Sequence, residues 1–161
     1  MIIFGGPHVP DRKEALEAFT RAHPFVDLAC HGEGEQVFAA ILENYPLRNW
    51  NAVASVSFLR KDGSLAQTAR AERLRDMSAI PSPYAENFFK QLMEANPQEK
   101  WIALWETNRG CPFSCTFCDW GSATQSKVYQ FDMERLTQEI DWFAKHKIEF
   151  ILVNSYFNTA I

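Results

Sequence analysis

The chain has 161 residues, of which 47% are hydrophobic and 14% aromatic, so it can bury a sizeable core and is not intrinsically disordered. Its formal net charge of −4 at pH 7 and its pI near 5.6 argue against a general nucleic-acid-binding protein. No apolar run approaches the roughly 20 residues of a transmembrane helix, and residues 1–4 lead directly into Gly-Gly-Pro rather than into a signal peptide. We therefore expect neither nucleic acid nor a membrane as a partner.

Residues 1–50 alternate between short strands and helices. The apolar pattern predicts strands at residues 2–4 and 26–30 and helices at residues 11–22 and 35–44. Asp11 is placed to cap the first helix, and Val37, Phe38, Ile41 and Leu42 would form one apolar face of the second. Elements in this order, with short connections, predict a parallel α/β sheet. Because a doubly wound domain has about five strands, we expect only its C-terminal part here, without the first three β-α units.

A glycine-containing turn follows each of these two predicted strands. The residues of the turns are Gly5, Gly6, Pro7 and His8 after the first strand and His31, Gly32, Glu33, Gly34 and Glu35 after the second. Open parallel sheets bind ligands at the C-terminal ends of their strands, so the two turns would line one crevice. Glycine turns also serve any tight connection, and the histidines can be metal ligands or simply hydrogen-bond their neighbours. The glutamates can face solvent or cap the following helix, and the residues alone leave these alternatives open.

Residues 51–100 are predicted to connect two domains. Strands at residues 53–59 and 65–68 flank Lys61, Asp62 and Gly63, which form a hairpin turn. Residues 70–84 contain polar side chains and prolines but few periodic apolar positions, so we expect an ordered linker. A helix is predicted at residues 87–96.

Three of the four cysteines lie within eight residues, directly after a predicted strand at residues 101–107. They are Cys111, Cys115 and Cys118, in a C-x3-C-x2-C pattern. Three closely spaced thiolates suit one iron–sulfur cluster, and three ligands leave one iron of a cubane open to a small molecule. A zinc site would need a fourth ligand, and neither Asp119 nor His146 has the usual spacing. Inert buried thiols are the remaining alternative, which we expect for Cys30.

Residues 131–153 predict a helix and a strand that would complete a second α/β segment. The helix at residues 131–147 is amphipathic, with Asp132 as its N-cap. Its apolar face is predicted to consist of Leu136, Ile140, Phe143 and Ala144. A buried strand at residues 148–153 would follow, which places the cysteine loop at the C-terminal end of the first strand of a barrel. Residues 154–161 do not continue the pattern, and we expect a truncated or partial gene product.

The segment ETNRGCPFSCTFCDWG, with Phe117 just before the last cysteine, resembles the signature of the radical S-adenosylmethionine (SAM) enzymes. Within that family it is most similar to the subgroup that carries an N-terminal cobalamin-binding domain. The resemblance implies that the three cysteines hold a [4Fe-4S] cluster whose fourth iron is chelated by the amino and carboxyl groups of SAM. It also implies reductive cleavage of SAM to a 5′-deoxyadenosyl radical. Such oxygen-sensitive thiolate chemistry indicates a reducing, cytoplasmic location.

Further residues of this segment acquire expected roles from the resemblance. The backbone at Trp120 and Gly121 is expected to contact the SAM amino group. Phe117 is expected to shield the cluster near the adenine, with a simple core aromatic as the alternative. Arg109 and Lys127 would either neutralise the anionic cluster, contact the SAM carboxylate, or remain solvated surface charges.

The two glycine turns also resemble, in order and separation, the last two loops of the cobalamin-binding domain in these proteins. There the loops pack around the nucleotide tail of cobalamin, and a small hairpin follows. The resemblance therefore implies three segments. They are residues 1–50, a partial Rossmann-like cobalamin-binding domain; residues 51–100, a hairpin and linker; and residues 101–161, the start of a radical SAM partial TIM barrel.

The function implied by the resemblance is a radical SAM reaction on a small-molecule substrate. The radical would abstract hydrogen from an unactivated C–H bond, and cobalamin would deliver a methyl group, although subgroup members also catalyse ring contraction or cyclisation. An electron donor such as flavodoxin or ferredoxin would reduce the cluster. Two other hypotheses remain at this point: a non-catalytic iron–sulfur or zinc-binding module, and an inactive truncated gene product.

Overall fold

The computed structural model describes residues 1–113, 116 and 127–154, and the chain divides into two compact units, Met1–Leu74 and Arg75–Ile161. Among the described residues the first unit contains one sheet and the second unit contains two, and each unit has its own clusters of buried side chains. Among the described residues, no helix is both long and apolar enough to cross a membrane.

The first unit contains a four-stranded sheet whose strands are adjacent in chain order. They are β1 (Ile3–Phe4), β2 (Leu28–Cys30), β3 (Val56–Leu59) and β4 (Leu65–Gln67). β1 and β2 are parallel and are connected through helix α1 (Lys13–Ala22), as the α/β pattern predicts. β2–β3 and β3–β4 are antiparallel, so the predicted hairpin extends the same sheet. Its turn contains Gly63 at φ +79°, a left-handed conformation that favours glycine.

Helix α2 (Gly34–Asn44) packs on this sheet through a narrower stripe than the sequence predicts. Val37 and Ile41 are buried and Ala40 packs beside them, which is the i, i+3, i+4 spacing of one helix face. Phe38 and Leu42 are about half exposed, so the prediction that they belong to the buried face is wrong. Burying a side chain such as Ile41 stabilises the fold by about 1.5–3 kcal/mol, and the stripe of three residues is what the sheet covers.

The predicted cap of α1 is also wrong. Arg12 occupies the N-cap position, and no side chain caps the helix there. The Asp11 carboxylate instead pairs with the guanidinium of Arg70, 59 residues further along the chain. The ion pair takes the carboxylate away from the first turn of the helix, so a local capping rule fails at this residue.

The second unit contains the predicted β-α-β segment. Strands β5 (Ile102–Glu106) and β8 (Phe150–Asn154) pair in parallel through five residue pairs, and helix α4 (Met133–Lys145) connects them. Two short strands, β6 (Asn108–Arg109) and β7 (Tyr129–Gln130), pair antiparallel in between. A short helix, α3 (Lys90–Ala95), precedes β5 and begins later than predicted, because Asn87 lies at φ +54° and cannot continue a helix.

Helix α4 begins as predicted but buries a different face. The Asp132 side chain accepts a hydrogen bond from the backbone N of Arg135 at 2.8 Å, which confirms its role as N-cap. The buried residues are Glu139, Trp142 and Phe143, whereas Ile140 is half exposed and Ala144 is exposed. The helix turns this face inward because aromatic residues of the unit, including Tyr84 and Trp105, pack against Trp142 and Phe143.

The prediction that the last strand is buried is wrong within the described chain. Phe150 and Leu152 are each 61% exposed, and Ile102 and Leu104 on β5 are exposed beside them. The opposite side of the sheet, which carries Ala103, packs against the aromatic residues of α4. The described residues therefore cover one face of this sheet only at β5, because Ile151 and Val153 of β8 are 39% and 45% exposed, and they leave the other face exposed.

Candidate functional site

The two predicted glycine loops lie at the same edge of the first sheet. The loop that starts with Gly5 follows β1, and the loop that starts with His31 follows β2, its parallel neighbour. The loops are close, because a Cβ added to Gly5 would lie 3.7 Å from the Cβ of Cys30. Gly6 and Gly32 have φ values of +80° and +76°, which only glycine adopts without strain. The structure thus brings together the two loops that were predicted to line one crevice.

The tips of these loops present bare backbone to open space. A Cβ built on Gly6 or Gly34 would meet no described atom within 4 Å. Gly34 has no positive φ, so neither backbone strain nor packing among the described residues excludes a side chain there. Pro7 and His8 are exposed on the first loop. The loops therefore leave room for a molecule that approaches the main chain closely.

The glutamates of the second loop have different surroundings. Glu33 accepts hydrogen bonds from the backbone N of Leu74 at 2.8 Å and from Arg73 Nε at 3.3 Å. Its carboxylate neither caps α2 nor faces solvent freely, so both alternatives considered for Glu33 are wrong. Glu35 is exposed in the first turn of α2, where a carboxylate interacts favourably with the helix dipole.

His31 points into the protein rather than towards the crevice. Its side chain is 1% exposed, with Nε2 2.7 Å from Ser57 Oγ and Nδ1 3.4 Å from Asp11 Oδ1. Burial, together with the nearby positive charge of Arg70, lowers the pKa of His31, so the imidazole is neutral at pH 7. The side chains of Ser57, His31 and Asp11 lie next to one another in the order of a nucleophilic triad. Ser57 is completely buried, however, so no substrate can reach its hydroxyl.

The cysteine loop follows β5 in the second unit. Cys111 is a free, half-buried thiol, and Gly110 before it turns the chain at φ +91°. Cys115, Cys118, Phe117, Trp120 and Gly121 lie outside the described residues, so their predicted roles stay predictions. Within the described ranges, no three His, Cys, Asp or Glu side chains come together as a metal site.

A short backbone ladder closes the base of this loop. Asn108 pairs with Gln130 and Arg109 pairs with Tyr129, so the chain that leaves β5 and the chain that enters α4 are held side by side. The backbone N of Phe131 adds a hydrogen bond to Thr107 O at 3.2 Å. The ladder therefore fixes the two ends of residues 110–128, which contain all three cysteines of the motif.

Arg109 is held by a carboxylate from the end of β5. Its Nε lies 3.1 Å from both carboxylate oxygens of Glu106, and a terminal nitrogen lies 2.9 Å from Oε2. Both side chains are mostly buried, which makes the interpretation of Arg109 as a solvated surface charge wrong. Lys127 lies with Nζ 5.7 Å from the centroid of the Tyr129 ring, within the range of a cation–π contact.

A buried carboxylate on α4 binds a side chain of β5. Glu139 of α4 is 1% exposed, accepts a hydrogen bond from Trp105 Nε1 at 2.6 Å, and pairs with Arg135 Nε at 3.0 Å. Sequence reasoning missed this contact, because the hydrogen-bonding partners Trp105 and Glu139 are 34 residues apart and an acidic residue on an amphipathic helix normally predicts a solvent-facing position.

The chain is similar to known proteins over nearly its whole length. The chain is 42% identical over 159 residues to the cobalamin-dependent radical SAM methyltransferase TokK of Streptomyces tokunonensis. It is 44% identical over 160 residues to a 2-(S-pantetheinyl)-carbapenam-3-carboxylate methyltransferase of Streptantibioticus cattleyicolor. Each match covers 95% of this chain and 22% of the relative. No protein-family model matches the chain.

Solved structures show the same fold. The cobalamin-dependent SAM radical enzyme OxsB matches 98% of this chain and 21% of its own chain, with a TM-score of 0.67 at 20% identity. The radical SAM methyltransferase TsrM of Kitasatospora setae matches 99% of this chain and 30% of its own, with a TM-score of 0.62 at 15% identity. The chain is therefore similar to cobalamin-dependent radical SAM proteins over nearly its whole length, and it spans 22% of the length of the two methyltransferases that it matches.

Proposed function

We propose that the chain forms part of a cobalamin-dependent radical SAM methyltransferase that acts on a small molecule. The observation that carries the proposal is the C-x3-C-x2-C loop at the C-terminal end of β5, in a chain that is 42% and 44% identical to two such methyltransferases. The position fits the chemistry, because reactive groups of β/α barrels lie on the loops that follow the strands.

The donor set fits a [4Fe-4S] cluster held by Cys111, Cys115 and Cys118. Thiolates are the usual ligands of such clusters, and three of them leave one iron free for SAM. Cys111 is neither sealed in the core nor joined in a disulfide, and the ladder at the loop base holds the two ends of the loop together. Reductive cleavage of SAM to a 5′-deoxyadenosyl radical is the chemistry that this cluster supplies when bound.

Two oppositely charged residues pair with each other directly before this loop. Glu106 compensates the charge of Arg109 and fixes its guanidinium two residues before Cys111. We propose that Arg109, held in this position, faces the anionic cluster or the carboxylate of SAM. We propose that Trp120 and Gly121 contact SAM through their backbone and that Phe117 shields the cluster.

The two glycine loops fit a corrinoid cofactor with a nucleotide tail. The bare backbone at Gly6 and Gly34 leaves the close approach that a large ligand needs, and the positive φ values of Gly6 and Gly32 define the shapes of the loops. We propose that these loops hold the tail of cobalamin, with Gly5, Pro7, His8, Glu33 and Glu35 as further contacts. Cobalamin would supply the methyl group that the substrate radical accepts at an unactivated carbon.

The remaining parts of the proposal concern partners and location. One relative is named for a pantetheine-bearing carbapenam carboxylate, so a small carboxylate substrate is the class that we propose for this chain. An electron donor such as flavodoxin or ferredoxin would reduce the cluster, and the oxygen sensitivity of the thiolates favours a reducing, cytoplasmic location. Nucleic acid and membrane are not part of the proposed function.

Anaerobic reconstitution with iron and sulfide, followed by measurement of bound metal and of 5′-deoxyadenosine formed from SAM under reducing conditions, tests the proposal. About four irons per chain and deoxyadenosine formation are expected for the wild type, and both are expected to be lost in Cys115→Ala. Cys30→Ala is the matched control, since Cys30 is buried in the first unit and should leave both results unchanged. Zinc bound in place of iron, with no SAM cleavage, would instead support the non-catalytic metal module.

A further inference from the structure

His31 is the first residue of one of the proposed cofactor loops, and both its backbone and its side chain contact neighbouring segments. Its backbone N donates to Ser55 O at 2.9 Å, Nε2 lies 2.7 Å from Ser57 Oγ, and Nδ1 lies 3.4 Å from Asp11 Oδ1. Ser55 and Ser57 belong to the start of the hairpin, whereas Asp11 lies in the connection between β1 and α1. The backbone and side chain of His31 therefore hold the end of β2 against the hairpin, and the imidazole also lies beside the Asp11 carboxylate.

A second set of contacts to the same loop comes from the residues that follow the hairpin. Residues 69–74, which we term the strap, run from the end of the hairpin to the end of the first unit. Arg70 of the strap pairs with Asp11 and lies 3.9 Å from the Cβ position of Gly32, and Arg73 and Leu74 both bind the Glu33 carboxylate. Ser55 also holds the strap, because its Oγ accepts a hydrogen bond from Ala71 N at 2.7 Å.

These contacts converge on a short segment with little structure of its own. Gly32 has a positive φ, Gly34 begins α2, and no side chain caps that helix. A loop of this kind has many accessible conformations when it is isolated, and each of them competes with the one that binds a ligand. Holding the residues on either side of Gly32 removes this freedom before binding, which is the effect called preorganisation.

We propose that Asp11, His31 and Ser57, together with the strap, form a polar lock that positions the Gly32–Glu35 loop for the nucleotide tail of cobalamin. The inference rests on the proposed function of these loops. His31 and Ser57 are positioning residues, because their buried side chains contact each other next to the loop rather than the ligand. The lock acts on the part of the cofactor that lies against the loop, so its loss affects recognition of the tail more than recognition of the corrin ring.

The test compares two corrinoids that differ in the tail. Hydroxocobalamin carries the nucleotide tail and dicyanocobinamide lacks it, and the affinity of the full chain for each is measured by absorbance titration. Ser57→Ala removes the partner of His31 Nε2, and Arg70→Gln removes the charge that holds Asp11. Each variant is expected to bind hydroxocobalamin about tenfold more weakly and dicyanocobinamide as the wild type does. Equal losses for both corrinoids, or no loss for either, overturn the lock.

Thr20→Val is the matched control. The Thr20 hydroxyl is buried like that of Ser57 and donates to Leu16 O at 2.7 Å, but it lies within α1. The control should leave both affinities unchanged even if it lowers stability. A tenfold loss of hydroxocobalamin binding in Thr20→Val would attribute the effect to general destabilisation and overturn the proposal.

Amide hydrogen exchange separates failure of the lock from failure of the proposed function. Exchange at Gly32, Glu33 and Gly34 is expected to accelerate in Ser57→Ala but not in Thr20→Val. Unchanged exchange in both variants shows that the loop does not depend on the lock, and this overturns the inference while the proposed function stands. If the wild type binds neither corrinoid, the cobalamin part of the proposed function fails, and the tail-positioning role fails with it.

Discussion

The two candidate sites are held in opposite ways. In the first unit the proposed ligand contacts are mainly backbone, at Gly6, Gly32 and Gly34, and the support comes from side chains distant in sequence, such as His31 and Arg70. In the second unit the proposed ligands are side chains, the three cysteines, and the nearest support is a backbone ladder between β6 and β7. A loop that binds through its main chain needs its shape fixed by others, whereas a loop that binds through thiolates mainly needs its ends held.

The largest expected effect concerns the buried carboxylate under β5. Glu139→Ala leaves the partly buried guanidinium of Arg135 and the indole N–H of Trp105 without their partner. Breaking a buried ion pair in this way costs about 3–5 kcal/mol, and we expect the free energy of unfolding of the second unit to fall by about 3 kcal/mol. Urea unfolding followed by tryptophan fluorescence measures it.

Glu134→Ala on the same helix is the matched control, because its side chain is exposed. A surface change of this kind normally alters stability by less than about 0.5 kcal/mol. Because alanine is the better helix former, helix propensity predicts no loss in either variant, and similar losses in the two would show that the buried contact is not what stabilises this unit.

Substituting the glycines of the second loop is expected to change the free energy of unfolding by less, and differently at each position. Gly32→Ala forces a Cβ into a left-handed conformation and should destabilise the first unit by about 1–2 kcal/mol. Gly34→Ala meets no described atom and starts a helix, so stability should be unchanged or slightly raised. Chemical denaturation measures both, and a large loss in Gly34→Ala would mean that packing, rather than a ligand, requires the bare backbone there.

The smallest expected effect is a pH dependence that comes from His31. The folded state lowers the pKa of His31 below its ordinary value of 6.5, chiefly through burial. As the pH falls below 6.5 the unfolded chain binds a proton that the folded chain does not, so stability decreases. Above this pH the imidazole is neutral in both the folded and the unfolded state, so it contributes nothing to the dependence of stability on pH.

His31→Gln should therefore flatten the stability profile between pH 7 and the folded-state pKa, while the exposed His8→Gln should leave it unchanged. Thermal unfolding across this pH range measures the difference. An unchanged profile in His31→Gln would show that other groups produce the acid sensitivity. The pKa of Asp11 is also lowered, although burial opposes the shift, by its contacts with Arg70 and His31, and its contribution is lost at lower pH.

Local sequence patterns predict the helices and strands of this chain but not the long-range contacts that hold them in place. Alternation of short strands and helices correctly predicts the parallel pair β1–β2, and Asp132 correctly predicts the start of α4. The buried faces of α2 and α4 were predicted only in part: Val37, Ile41 and Phe143 are buried as predicted, but an amphipathic pattern does not specify the exact stripe that the neighbouring elements cover. Asp11 failed as a cap because Arg70, which is distant in sequence, engages its carboxylate.

The residues of the candidate sites likewise fall into those that the sequence predicts and those that it does not. The cysteine motif and the glycine turns are contiguous in sequence, so their presence can be read directly from it. The His31–Ser57 hydrogen bond joins residues 26 apart, and the Glu33–Leu74 bond joins residues 41 apart. No local signal specifies such pairs, because only the register of the sheet and the course of the strap bring them together.

We propose above all that the three cysteines hold a cluster with one iron open to SAM. Electron paramagnetic resonance of the reconstituted, reduced chain, recorded with and without SAM, tests this claim most directly. We predict a cluster signal that changes when SAM is added and that is absent in Cys115→Ala. A cluster signal that does not respond to SAM, or iron that is retained in full by Cys115→Ala, would contradict the account.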